Sequence, residues 1–123
     1  MSEYETLTSG EKEHFNGGAQ RDSQKGKPRY DLIPPLALKR LAGLYARGAD
    51  TYGESNWAAG IGYKRLYASA MRHLIQWSMG DNTEDHLSAV CFNIFAIIHF
   101  QELKREDLND MHKWNENYNN IDK

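Results

Sequence analysis

Residues 81–105, DNTEDHLSAVCFNIFAIIHFQELKR, decide the fold. The opening Asp81-Asn82-Thr83-Glu84-Asp85 is rich in residue types that cap a helix N-terminus, and its acids suit the positive end of the helix dipole. After it, apolar side chains cover most of a helical circumference: Leu87, Val90, Cys91, Phe92, Ile94, Phe95, Ile97, Ile98 and Phe100. The pattern predicts a helix running from this cap to about Arg105. A helix that is apolar all round is buried on all sides. One chain of 123 residues has difficulty enclosing such a helix, so the pattern also predicts a homodimer or higher homo-oligomer built on it.

Upstream, Leu66, Ala70, His73, Leu74 and Trp77 recur at helical spacing and predict a second helix from about Tyr63 to Met79. Gly80 then stands where a C-terminal glycine belongs. Gly53 to Gly62 reads as a loop. Before it, Leu38, Leu41, Ala42 and Tyr45 define a first helix from about Pro35 to Asp50, with Gly53 as its stop. Pro34-Pro35 suits its first turn, where a missing N–H costs nothing, and Asp31 is placed to cap it. From Gly17 to Tyr30, glycines and Pro28 break any regular helix, leaving an extended basic arm. Past Glu106 the chain is polar and asparagine-rich, with Met111 and Trp114 as anchors for a short fourth helix. No internal repeat or alternating strand pattern stands out. The expected class is all-α: a bundle of three to four helices preceded by the arm. The expected organisation is a flexible segment 1–16, a single helical domain 17–106 and a polar tail 107–123.

Length and a 40% hydrophobic content suit one globular domain with a real core. The net charge of −2 argues against a binder of polymeric nucleic acid. The charge is unevenly placed, however. Arg21 to Arg47 holds seven Lys/Arg against two acids, whereas Asp81 to Lys123 holds nine acids against four bases. The single cysteine, Cys91, excludes an intrachain disulfide and a cysteine zinc cluster. No signal peptide or membrane-length apolar run is evident, which points to a cytoplasmic protein with no membrane partner.

Four constellations can carry chemistry. Arg21, Lys25, Lys27 and Arg29 punctuate the arm among glycines; such cations grip phosphate oxygens, although a charge run is more often simply solvated. In the loop Tyr52-Gly53-Glu54-Ser55-Asn56-Trp57, an aromatic can stack on a base and Asn56 can read its edge. Glu54 there can ligate a cation or orient a water, while Trp57 taken alone reads better as a core anchor. On the second helix, His73 lies on the apolar stripe with Arg72 at its flank, and a long cation beside a buried face needs an anion. Last, Asp81, Glu84 and Asp85 are the hard oxygen ligands that Mg²⁺ takes when it bridges protein and phosphate, although capping alone also explains them. His86 and Asn93, seven apart on one helix, can line the same pocket. No nucleophile elbow, P-loop or HExxH is present, so an activated water is the expected nucleophile.

From Gly18 to about Glu102 the chain resembles a family of short, largely phage-encoded proteins whose domain takes its name from dATP/dGTP diphosphohydrolase activity. The residues that carry the resemblance are GAQRDSQKGKPRYDLIPPLAL, GADTYGESNW, RHL and EDHLSAVCFN, in that order. The family is similar to the MazG-like all-α pyrophosphohydrolases, which hold Mg²⁺ on helix-borne acids and split (d)NTP into (d)NMP and pyrophosphate. The resemblance picks out Arg21, Asp22, Lys25, Lys27, Arg29, Asp31, Tyr52, Asn56, Trp57, Arg72, His73, Asp85, His86 and Asn93. The Glu-Glu-x-x-Glu pattern of MazG enzymes has no counterpart here; the corresponding helix reads Arg72, His73 and Gln76.

The leading expectation is an Mg²⁺-dependent pyrophosphohydrolase for purine (d)NTP in phage nucleotide metabolism, acting in the host cytoplasm. Glu54 and Asp85 would be its catalytic acids and Asp81, Glu84 and Asp85 its metal ligands. Arg21, Lys25, Lys27, Arg29 and Arg72 would hold phosphates. Tyr52, Asn56, Trp57, His73, His86 and Asn93 would complete the substrate site. The alternative is a non-catalytic binder that sequesters a cyclic or dinucleotide immune signal of the host. A third reading, an interaction protein whose apolar helix docks on a partner, leaves the basic arm unexplained.

Overall fold

The computed structural model describes residues 7, 8 and 10–114. Residues 1–6 and 9 of the segment 1–16, and residues 115–123 of the tail 107–123, lie outside the described residues. The fold is mainly helical, with α1 at Pro35–Tyr52, α2 at Tyr63–Ser78 and α3 at His86–Glu102. Each falls within about three residues of the segment that hydrophobic periodicity marks, apart from the start of α3. The chain divides into two compact units at Pro34 and Pro35.

The first unit corrects one expectation. A small antiparallel hairpin joins β1 at Lys12–His14, in the segment expected to be flexible, to β2 at Gln20–Asp22 in the arm, pairing Lys12 with Asp22, Glu13 with Arg21 and His14 with Gln20. Gly18, at φ +88°, closes its loop and donates its N–H to Phe15 O. Three-residue strands are too short for alternation to show in a sequence. A 3₁₀ turn follows at Tyr30–Leu32, where Asp31 pairs with Arg29 through two hydrogen bonds of 2.9 and 2.7 Å.

In the second unit each helix end has a physical cause. Pro35 opens α1, and Gly53 at φ +91° ends it in the left-handed conformation. Gly62 caps α2 without a side chain of its own. Asp110 supplies the missing acceptor from the C-terminal segment, taking the Lys64 N–H at 2.8 Å. A Cβ at Gly62 would lie 2.6 Å from that carboxylate, so a larger residue there would have to displace it. For α3, Asp85 is the N-cap and accepts the Ser88 N–H at 3.3 Å. The acids from Asp81 to Glu84 form the loop before the helix instead of its first turn.

The core joins Tyr63 and Leu66 of α2 to Ala96 and Phe100 of α3, with Trp57, Ile61, Ile97 and Leu108 around them. Burying a side chain such as Phe100 stabilises by roughly 1.5–3 kcal/mol. Within the single chain α3 is not buried on all sides, contrary to its pattern. Its inner face carries His86, Asn93, Ala96 and Phe100, while Ile94, Phe95 and Ile98 on the other face are 41–50% exposed. The neighbours α1 and α2 cover only one side of it. Helix α2 likewise turns Leu66, Ala70 and His73 inward but leaves Tyr67, Met71, Leu74, Ile75 and Trp77 exposed. The expected fourth helix at Met111 and Trp114 is not formed among the described residues; a 3₁₀ turn at Glu106–Leu108 precedes them and brings Leu108 to the core. No helix of the described residues is long and apolar enough to cross a membrane.

Candidate active site

The three helices leave an open cleft of about 990 Å³ between them. Arg40 and Arg47, two turns apart on α1, line one wall; Arg65, Ser69 and His73, each a turn apart on α2, line another. Glu84 and Asp85 come from the loop before α3, and Phe92 and Asn93 from α3 itself. Arg40 is committed to Asp85 through two hydrogen bonds, one of them Nε to Oδ2 at 2.8 Å. The Arg40 guanidinium holds the Asp85 carboxyl far below the usual carboxylate range, and the Ser88 hydroxyl and N–H add to the effect. Arg47 and Arg65 have no ion-pair partner among the described residues.

At the far wall two imidazoles meet. His73 Nδ1 and His86 Nδ1 are 2.9 Å apart. His86 is 2% exposed, and its Nε2–H donates to Asp81 Oδ1 at 3.2 Å. That bond leaves Nδ1 of His86 as the acceptor, and His73 Nδ1–H is the donor. Asp81 also accepts the Thr83 hydroxyl at 2.7 Å and the Thr83 N–H at 2.8 Å. These bonds, Thr83's before His86's, lower the Asp81 carboxyl to about 2. Burial, and after it the charge of Arg72, pushes the His73 imidazolium toward its neutral form. Glu84 completes a group in which donor atoms of His73, Glu84 and His86 all lie within 4.8 Å of one another. Asn93 gives its amide hydrogens to Ala89 O at 2.8 Å and Ser69 Oγ at 3.3 Å.

A smaller cavity of about 200 Å³ is walled by Tyr45, Trp57, Phe92 and Tyr52, with Asn56 at its edge. It shares Gly48, Tyr52 and Phe92 with the cleft. Trp57 stands edge-on to Tyr45 and His99, with ring centroids 6.5 and 5.2 Å apart, and packs against Phe100. It is thus both a core anchor and part of the cavity wall.

The structure brings Tyr52, His73, Glu84, Asp85 and Asn93 together in the cleft, with His86 and Asp81 directly behind His73. Asn56 and Trp57 belong to the aromatic cavity. Arg72 is exposed on α2, donates to Ser69 Oγ at 3.5 Å and does not line the cleft. Glu54 lines neither space. Asp85, tied to a guanidinium, is a poor proton acceptor. The carboxylates expected to cage Mg²⁺ do not fit that task as a set: Asp81 serves Thr83 and His86, Asp85 serves Arg40 and Ser88, and only Glu84 joins the group of donor atoms. In the first unit Lys25, Lys27 and Arg29 are each paired with a local acid. Sequence reasoning missed Arg40, Arg47 and Arg65. Their signal was helical spacing: seven between the first two, and eight from Arg65 to His73.

Fold and cleft define a small helical protein with an arginine-lined cleft beside an aromatic cavity. The family model described as dATP/dGTP diphosphohydrolase, N-terminal, matches residues 17–111, and the chain belongs to that family. No curated protein and no solved structure matches the chain.

Proposed function

We propose that this chain binds a purine deoxynucleoside triphosphate, dATP or dGTP, and hydrolyses it to the monophosphate and pyrophosphate. The observation that carries this reading is the pair of guanidiniums, Arg47 and Arg65, with no ion-pair partner among the described residues, in a cleft that shares a wall with an aromatic cavity. Guanidiniums match phosphate oxygens in charge and geometry, and aromatic side chains accept the face of a base. The family description supports the choice of dATP and dGTP. Sequestration of an intact nucleotide finds no comparable support.

In this reading Arg47 and Arg65 hold the triphosphate and neutralise the pyrophosphate as it leaves. Tyr52 and Phe92 flank the base, and Asn56 reads its edge. Water attacks the α-phosphorus, the bond from that phosphorus to the bridging oxygen breaks, and the bond electrons leave with pyrophosphate. The groups that face the cleft and can activate the water are His73 and Glu84, with His86 behind His73 to hold it. The test is incubation with dATP, dGTP and pyrimidine nucleotides, with products resolved by chromatography. Monophosphate with pyrophosphate is expected; release of inorganic phosphate or of tripolyphosphate overturns the reading, as does intact nucleotide.

We also propose that a second copy of the chain covers the apolar face of α3. Ile94, Phe95 and Ile98 form an apolar patch of the kind that isolated proteins seldom leave in water. Ile98→Glu is expected to shift sedimentation to the mass of one chain; an unchanged mass removes this face from the interface.

A further inference from the structure

We propose that His73, Glu84 and His86 form a binding site for a first-row transition-metal dication of the Zn²⁺ or Co²⁺ class, with Asp81 as the outer carboxylate that orients His86. The two imidazoles present Nδ1 to Nδ1 at 2.9 Å, so once His73 gives up its Nδ1 proton both nitrogens can serve one ion. Only one proton fits between them, and a dication can take its position. Two ligands on a tetrahedral metal at about 2.0–2.1 Å lie about 3.3 Å apart, so the rings need to part by only a few tenths of an ångström. Exposed Glu84, on the loop before α3, supplies the third donor within 4.8 Å of the others.

The outer partner is the second, independent observation. Metal-bound histidines commonly give their other ring N–H to a carboxylate, which fixes the tautomer and raises ligand basicity. Asp81 does this for His86 through Nε2, and is itself held by two bonds from Thr83. The result leaves Nδ1 as the donor atom, on the side that faces His73. The donor set also selects the ion: imidazole suits Zn²⁺, Co²⁺ and their neighbours, whereas Mg²⁺ takes oxygen and keeps its waters. Three protein donors leave a coordination position open, and His73 and Glu84 both line the cleft. The competing account is a histidine pair that merely ties α2 to α3. It explains the 2.9 Å bond but gives Glu84 no part.

The test uses metal alone, so its outcome does not depend on nucleotide turnover. The full chain, stripped with a chelator, is titrated with CoCl₂ and with ZnCl₂, followed by calorimetry and by the visible absorption of Co²⁺. One ion per chain is expected, with binding unaffected by millimolar Mg²⁺. His86 is buried and its loss endangers the fold, so the variants are His73→Gln and Glu84→Gln, with folding checked by circular dichroism. Each is expected to weaken binding at least tenfold, and Asp81→Asn to weaken it about 10–100-fold through the outer bond. Absence of binding at micromolar Co²⁺, affinity unchanged in His73→Gln and Glu84→Gln, or displacement of Co²⁺ by Mg²⁺ overturns the proposal.

Discussion

In the N-terminal hairpin unit, three bases each face an acid: Lys25 and Glu11 at 3.9 Å, Lys27 and Asp22 at 3.2 Å, Arg29 and Asp31 at 2.7 Å. In the helical unit, Arg47 and Arg65 line a cleft with no such partner among the described residues, although Arg40 beside them is neutralised by Asp85. Both regions are rich in cations, and the hairpin region is the richer to the eye reading a sequence. What separates them is pairing and setting: in the hairpin unit Lys12 and Arg21, without an ion-pair partner among the described residues, stand exposed on the strands and line no cleft. A cation already matched by a local carboxylate must exchange that partner before it binds a ligand, whereas an unmatched one in a concave surface gains its partner from the ligand.

The strongest way to break this comparison is to remove the unpaired cations together. Arg47→Ala with Arg65→Ala is expected to weaken dATP or dGTP binding by about 100-fold or more, since hydrogen bonds to charged groups are worth roughly 1.5–3 kcal/mol each. Calorimetric titration reads this directly, and a loss below fivefold refutes the assignment of the phosphate site to the cleft. The comparison can next be sharpened by converting a paired cation into an unpaired one. Asp85→Asn frees Arg40, and nucleotide affinity should rise a few-fold while the helix cap is largely kept. Asp85→Ala should free it equally but lower stability by about 1 kcal/mol, read in urea denaturation. If affinity falls in both, Asp85 contacts the ligand or its cation.

The smallest effect belongs to the hairpin unit. Lys25→Ala, Lys27→Ala and Arg29→Ala combined should change stability by less than about 0.5 kcal/mol, because exposed pairs contribute little. Nucleotide affinity should fall by a few-fold at most, and the difference should vanish in high salt, where exposed charges are screened. A loss as large as that of the cleft arginines erases the contrast and makes the arm a principal phosphate holder.

Much of the fold was legible because its helices announce themselves. Pro35, Gly53 and Gly80 mark ends that backbone chemistry dictates, and Leu66, Ala70 and His73 repeat at the helical period. The candidate site was legible in part. His73, Glu84, Asp85 and Asn93 stood out as polar groups near apolar stripes, and all four line the cleft. Arg47 and Arg65 did not stand out, because an arginine on a helix surface looks the same whether it faces solvent or a cleft. Arg72 stands out in the sequence for its place beside His73, yet one step along a helix turns a side chain by about 100° and points it elsewhere. The pairing of His73 with His86 was equally hidden, since thirteen residues and a helix reversal separate them.

By itself, then, the sequence determined the class of fold, the position of each helix within about three residues apart from the start of α3, and, through ordered motifs, membership of the family whose model matches residues 17–111. Those properties are local: they follow from periodicity, capping and turn chemistry over a few residues. Tertiary structure alone decided which cations are paired, which face of α3 is buried, and that two histidines and a glutamate share one point. Such facts depend on how helices cross in space, and side chains far apart in the chain meet only after packing has fixed that crossing.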